Sequence, residues 1–385
     1  MTPAARIQAA IEVLDAFAAG EAAERALTNW ARANRFAGSG DRAAIRDLVY
    51  GALRRRRSLS VRGGGQTGRA LMIGAVAERG DDLDAVFSGL GHAPAALSAD
   101  ERARLGTPSA RDLLDLPDWL IAPLGAALGP DLPAVAEALR HRAPLFLRVN
   151  AAKGDPATAV AALASEGVAA VPVPEVANAL LVTGGERKLA ASRAYLGGLV
   201  EVQDLSSQAA VAALPDPAGL RVLDYCAGGG GKSLALAARG ARVSAHDISA
   251  ARLAALPPRA ARAGARIATL PPGCVRGSFD LVVVDAPCSG SGTWRRTPEA
   301  KWRLTPDRLA ELTALQARVL DAAARHAAPG APLAYMTCSL LEAENGDQIA
   351  DFHRRNPGWT TLSERRFSPL DLGGDGFFLA LVQHK

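Results

Sequence analysis

Cysteine, aromatic residues and lysine are all scarce in this chain, and each shortage excludes something. Cysteine occurs four times, at Cys226, Cys274, Cys288 and Cys338. None belongs to a C-x-x-C pair and no histidine lies at ligand spacing, so no metal is expected. Two disulfides are formally possible. The opening stretch MTPAARIQAAIEVLDAF, however, has no apolar signal region. No apolar run is expected to reach the length that spans a bilayer. The expectation is a cytoplasmic protein with reduced thiols and no membrane partner. Aromatics make up 5% of the residues, so the core must be built from Ala, Leu and Val. Lysine occurs only at Lys153, Lys188, Lys232, Lys301 and Lys385; arginine carries nearly all the positive charge. The net charge of +5 suits a polyanionic partner without demanding one.

At 385 residues, 49% hydrophobic and 22% charged, the chain is long enough for more than one globular domain. Residues 3–59 read as helices, with Ile7, Ala10, Ile11, Leu14 and Phe17 at helical spacing. Gly38-Ser39-Gly40 breaks the pattern. Asp41 can N-cap the next helix, whose apolar face is Ile45, Leu48 and Val49. The basic run Arg54 to Arg57 reads equally as a solvated helix end, favoured by the helix dipole, or as a phosphate-contacting patch. Helical segments continue to about His141. From Arg142 the texture changes to a small α+β module, with strands near 146–149, 168–173 and 180–182 and a helix at 156–165. It lacks an aromatic signature for stacking bases on its sheet. Residues 198–208 form a joint, with Asp204 or Ser206 as a helix N-cap. From Leu220 the alternation predicts a doubly wound sheet. Strands are expected at 221–225, 242–246, 266–270, 279–284 and 332–336, helices at 309–324 and 341–354, and a closing antiparallel hairpin at 359–362 and 377–382. The expected domains are 1–141, 142–203 and 204–385.

The stretch from Phe279 to Trp302, FDLVVVDAPCSGSGTWRRTPEAKW, organises the last of these. Its Val-rich start is a strand buried on both faces and closed by Asp285. Ala286-Pro287 stops it, which puts Cys288 just past the carboxyl end, where open α/β sheets bind ligands. A Ser/Gly loop and a basic, aromatic segment follow. Upstream, Cys226 to Lys232 is a glycine-rich turn between a strand and a helix, which lets backbone N–H groups approach a ligand. Asp247, at the end of the next strand, can accept bonds from two ribose hydroxyls. These features suit S-adenosylmethionine and a dinucleotide alike. Gly231-Lys232-Ser233 also looks like the end of a P-loop, but Cys226 stands where G-x-x-x-x-G-K-[ST] needs its first glycine.

With these residues in view, DAPCSGSGTWRRTPEAKW resembles motif IV of the RNA cytosine-5 methyltransferases of the bacterial RsmB/Sun type and their eukaryotic nucleolar relatives. The resemblance takes in Leu147 to Asn150, Val202 to Gln208, Val222 to Ala227, Tyr335 to Ser339, Glu344-Asn345 and Asp375 to Phe378, in order. It implies an α/β fold: a Rossmann-like class I methyltransferase domain preceded by an RRM-like α+β module and an all-α NusB-like RNA-binding domain. The last rests on Asp41 to Arg54. It implies S-adenosyl-L-methionine as cofactor, held by Cys226, Ala227, Gly228, Gly229, Gly230, Gly231, Lys232, Asp247 and Asp285. The implied partner is RNA, small-subunit ribosomal RNA above all, and the protein a monomer.

Carbon 5 of cytosine is too poor a nucleophile to take a methyl group directly. A thiolate adding to carbon 6 makes the ring enamine-like, and a hydrogen bond at ring nitrogen 3 drains the charge that develops. The resemblance assigns Cys338 as nucleophile, Cys288 as the thiol that assists release and Asp285 as the nitrogen 3 partner. Lys232 would orient Asp285 or approach the base. Spacing alone leaves open which thiol attacks. Trp294, Arg295, Arg296 and Lys301, with Arg54 and Arg55, are the expected RNA contacts. Two departures stand out. The usual C-A-A-P-G-G-K has Gly228-Gly229 in place of Ala-Pro, and no acid occurs between Arg266 and Pro272. The competing expectation is an RNA-binding protein whose methyltransferase-like domain no longer turns over.

Overall fold

The computed structural model describes all 385 residues and divides into two compact units. The first is helical. It comprises residues 1–125, 129–142 and, from far along the chain, 294–303. Its first helices are Pro3–Ala18, Ala23–Ala33, Ser39–Arg54, Arg56–Arg62 and Gly68–Glu78. Ile7, Ile11, Leu14, Ile45, Val49, Leu53, Leu59 and Met72 meet in one core, as the helical spacing of those residues requires. Asp41 is not the N-cap of Ser39–Arg54. That position is Gly38, and Asp41, at the third helical residue, accepts from the Gly38 N–H at 3.3 Å. Contrary to the expectation from the sequence, the stretch Asp118–Leu139 is long and apolar enough to pass for a membrane span, at 22 residues and mean hydropathy 1.3. It is broken, however, into helices Asp118–Leu128 and Leu132–Leu139 by a turn at Gly129–Asp131.

The second unit holds two sheets. Strands β1 (Phe146–Val149), β2 (Ala169–Pro172), β3 (Ala179–Gly184) and β4 (Val200–Val202) form an antiparallel sheet in the order β2-β3-β1-β4. Asp204 then caps helix Leu205–Ala212 by accepting from the Ser206 N–H.

The larger sheet contains β5 (Arg221–Asp224), β6 (Arg242–His246), β7 (Ile267–Leu270), β8 (Leu281–Asp285), β9 (Pro332–Thr337), β10 (Trp359–Phe367) and β11 (Phe377–His384). Their order is β10-β11-β9-β8-β5-β6-β7, parallel from β9 to β7 and antiparallel at β10 and β11. In β8, Leu281 and Val283 enter one core while Val282 and Val284 enter another, so both faces are covered. The closing hairpin runs further than expected. Ser363, Glu364, Arg365 and Arg366 of β10 are exposed, and charge on an edge strand resists further pairing. Because β8 and β9 are neighbours, the residues that follow them emerge side by side at the carboxyl edge.

Candidate active site

The two thiols predicted to act together are in contact. Cys288 Sγ and Cys338 Sγ lie 3.4 Å apart, both partly exposed and both unoxidised. The hydrogen bond to Cys338 raises the Cys288 thiol well above its ordinary range, and burial adds to it. Either sulfur can donate in this contact. Cys226 is a different case. Burial, then the charges of Asp224, Asp285 and Asp247, push its thiol up and leave it unreactive. Cys274 is exposed and apart from the motifs.

Asp285, the last residue of β8, is gripped by Lys232, the second residue of helix Gly231–Ala238, at 2.6 Å. Burial opposes the charge on Lys232, but Asp285, with Asp224 and Cys338, holds its pKa above the usual value. Its ammonium also sits 5.0 Å from the centre of the Phe377 ring. At the end of β5, Asp224 is fully buried. It accepts from the Ser233 hydroxyl at 2.6 Å, and its other oxygen has no partner. Burial lifts its pKa to about 6.

Between these strands runs the glycine turn. Gly228 and Gly230 have φ of 52° and 80°, the left-handed region that favours glycine. Asp247, directly after β6, is 1% exposed and already engaged: it accepts from Gly228 N–H at 2.9 Å and Ser249 N–H at 2.8 Å, with Arg252 at 3.7 Å. Arg259 donates to the Gly229 carbonyl. Among the residues of β7 and those just beyond it there is no acid. The unpartnered Asp224 oxygen and the Cβ-free backbone of Gly228 to Gly231 fit a polar, nucleoside-like group. A cleft of about 910 Å³ in this unit lies elsewhere. It opens at the amino ends of the strands among Arg221, Ala237, Arg242 and Ala260, and includes none of these residues.

The expected RNA contacts are mostly spent inside the helical unit, and here the structure corrects the sequence. Trp294, Arg295 and Lys301 are 1%, 4% and 1% exposed, so they have no face open to a nucleic acid; Arg296 is half-buried. Lys301 Nζ donates to the Arg54 carbonyl at 3.0 Å and Trp302 Nε1 to the Leu53 carbonyl at 2.6 Å. Both carbonyls belong to the last turn of Ser39–Arg54 and lack helical partners. Burial lowers Lys301 to about 8. Arg54 and Arg55, offered as phosphate contacts, are used in the same way. Arg54 Nε donates to the Arg295 carbonyl at 2.7 Å, and Arg55 pairs with Glu78. Arg57 is held by Asp112 at 2.9 Å and Asp118 at 2.7 Å. The run is neither a solvated helix end nor an open patch.

Sequence reasoning missed another group. Arg32, Arg35, Arg42 and Arg46 line a cleft of about 470 Å³ formed by helices Ala23–Ala33 and Ser39–Arg54 and the turn between them, beside Trp30 and Glu24. Arg42 donates to the Ala37 carbonyl, while Arg32, Arg35 and Arg46 are exposed and pair with no carboxylate. The four-residue spacing of Arg42 and Arg46 puts that pair on one helix face, and Arg35 reaches the cleft from the turn that follows helix Ala23–Ala33, which carries Arg32.

Residues 211–383 match the family model described as 16S rRNA methyltransferase RsmB/F, and residues 116–186 match a RsmF/B-like ferredoxin-like domain. The chain is 34% identical over 301 residues to ribosomal RNA small subunit methyltransferase B of Xanthomonas campestris pv. campestris, covering 72% of this chain and 69% of that one. To the protein of the same name from Erwinia tasmaniensis it is 34% identical over 282 residues, covering 69% and 65%. It thus spans about two thirds of the length of these relatives. The crystal structure of a methyltransferase homolog protein from Pyrococcus horikoshii aligns with a TM-score of 0.63 at 25% identity, covering 72% of this chain and 100% of that one. The chain belongs to the RsmB/F family of 16S rRNA methyltransferases.

Proposed function

We propose that this protein methylates carbon 5 of a cytosine in small-subunit ribosomal RNA, through a covalent bond between Cys338 and carbon 6. The observation that carries the reading is the sulfur pair at 3.4 Å at the ends of two neighbouring strands, with the Cys288 thiol raised well above its ordinary range by the contact and by burial. The attacking species is the Cys338 thiolate. Its electron pair forms the bond to carbon 6. The ring's displaced pair shifts toward nitrogen 3, where a proton passed through Asp285 from the Lys232 ammonium paired with it neutralises the charge. S-adenosylmethionine, when bound, supplies an electrophilic methyl group. Asp247, the backbone of Gly228 to Gly231 and the free Asp224 oxygen are the groups to hold it. Release requires a base to take the carbon 5 proton, so that the carbon 5–carbon 6 double bond re-forms and Cys338 leaves as a thiolate; Cys288 is the neighbouring sulfur that assists, taking that proton once it has given up its own. The target base must leave its stack to reach the thiols. The Arg32, Arg35 and Arg46 cleft pairs with phosphates, so charge reversal there should lower RNA affinity and reduce its salt slope by about one for each phosphate no longer neutralised. An unchanged slope contradicts that assignment.

One observation favours the competing reading, a binder without turnover: both oxygens of Asp247 already accept backbone N–H bonds. The experiment is incubation with labelled S-adenosylmethionine and 16S rRNA from a deletion strain, followed by bisulfite sequencing. A single protected cytosine supports the proposal. RNA binding with neither cofactor binding nor label transfer supports the competing reading.

A further inference from the structure

The loops that carry the two thiols are joined by one buried carboxylate. Glu344 is 0% exposed. Its Oε1 accepts from Ser289 N–H at 2.7 Å and Gln316 Nε2 at 3.0 Å; its Oε2 accepts from the hydroxyls of Ser289 and Ser339, each at 2.5 Å. Ser289 follows Cys288 and Ser339 follows Cys338. No cation pairs with Glu344, so these four donors alone replace water around a buried charge. The bonding also orders the protons. With the Ser339 hydroxyl spent on Glu344, the Ser291 hydroxyl must donate to Ser339 Oγ, 2.9 Å away, while Ser291 Oγ accepts from Leu340 N–H and Ser339 Oγ from Leu341 N–H. Glu344 is itself fixed, since its carbonyl accepts from the Tyr335 hydroxyl at 2.8 Å. Its neighbour Asn345 donates to the Ser339 carbonyl at 3.0 Å.

We infer that Glu344 is a positioning residue for the thiol pair, a carboxylate that ties the Cys288 and Cys338 loops into one body and holds the sulfurs face to face. The inference rests on the reading of those thiols as the reacting groups. A carboxylate suits this task because it accepts from both loops at once without offering a proton to either sulfur. The groups that face Cys288 are Cys338, Glu344 and Tyr335, and the Glu344 charge adds to the effects that keep Cys288 protonated.

The test uses iodoacetamide alkylation of each cysteine across pH, read by peptide mass spectrometry, beside steady-state methylation. Glu344→Gln keeps the shape and removes the charge. It should lower the pH at which Cys288 is half-alkylated, while exposed Cys274 reacts as in the wild type. Turnover should fall about 10- to 100-fold, as expected when hydrogen bonds to a charged group are removed, with KM for S-adenosylmethionine unchanged. Ser339→Ala keeps the charge and cuts one tie; it should slow turnover and leave the Cys288 profile in place. A folded Glu344→Gln protein with the wild-type profile and turnover overturns the inference. If Glu344→Gln does not fold, wild-type turnover in both Ser289→Ala and Ser339→Ala overturns it. Should the wild-type protein itself not methylate RNA, the functional reading fails, and the alkylation profile of Cys288 still decides the role of Glu344.

Discussion

A Cβ atom built on Gly292, in the loop after Cys288, would lie 2.0 Å from the carbonyl oxygen of Gly376, and one on Gly376 would lie 2.9 Å from the Cα of Gly292. In the glycine turn the corresponding atom on Gly229 meets only the tip of Arg259 at 2.8 Å, and on Gly228 the tip of Arg252 at 2.9 Å. At the thiols, backbone presses on backbone, and Gly292 N–H also donates to the Cys338 carbonyl at 3.0 Å. At Gly228 and Gly229 of the cofactor turn, the ends of long side chains lean on the backbone, while a Cβ on Gly230 would lie 2.2 Å from the buried Leu256 side chain. Backbone cannot give way; an arginine can swing aside. The thiol half is thus preorganised by its own main chain. The cofactor half, which lacks the family's Ala-Pro, has adjustable supports at Gly228 and Gly229.

Substitutions at these positions test that contrast. Gly292→Ala should have the largest effect. It forces apart two strand-end loops in a packed interior, at a cost of about 3 kcal/mol, and should abolish methyl transfer. Urea denaturation and a methylation assay check both, and a stable, active variant would remove the contrast. Asp247→Ala comes next. It should weaken S-adenosylmethionine binding by about 1.5–3 kcal/mol for each charge-assisted ribose bond removed, measured by calorimetry. An unchanged affinity would mean that Asp247 serves only Gly228 and Ser249. Gly229→Ala should do least. Its φ is not in the left-handed region, so stability should stay within about 0.5 kcal/mol of the wild type once Arg259 moves. A large loss there would show the cofactor turn to be as rigid as the thiol loops.

The catalytic sheet was legible because its signals are local. A Val run ending in Asp285, a Pro stop and a cysteine specify a strand end whatever lies around them. A second cysteine after the next buried strand must emerge beside the first. Glu344 could be matched but not understood, because its function depends on Ser289 and Gln316, which only the fold brings near. The segment from Trp294 to Lys301 was misread for a physical reason. Cations and aromatic N–H groups suit phosphates, and they suit the bare carbonyls at a helix end equally well. The sequence does not say which partner is present. Arg54 to Arg57 attracted attention as a run and proved to be internal wiring. Arg32, Arg35 and Arg46 were overlooked because their cleft lies across two helices and has no linear signature.

The most direct measurement of the central claim is trapping of the covalent RNA intermediate by thiol variants. Cys338→Ala should give neither methylation nor adduct. Cys288→Ala should attack and methylate but fail to let go, accumulating a protein–RNA species that runs slowly on a denaturing gel and disappears with RNase. The double variant should lose that species. An adduct trapped by Cys338→Ala instead would exchange the roles of the two sulfurs. If neither variant traps RNA while both remain folded and bind S-adenosylmethionine, the covalent mechanism is wrong for this protein.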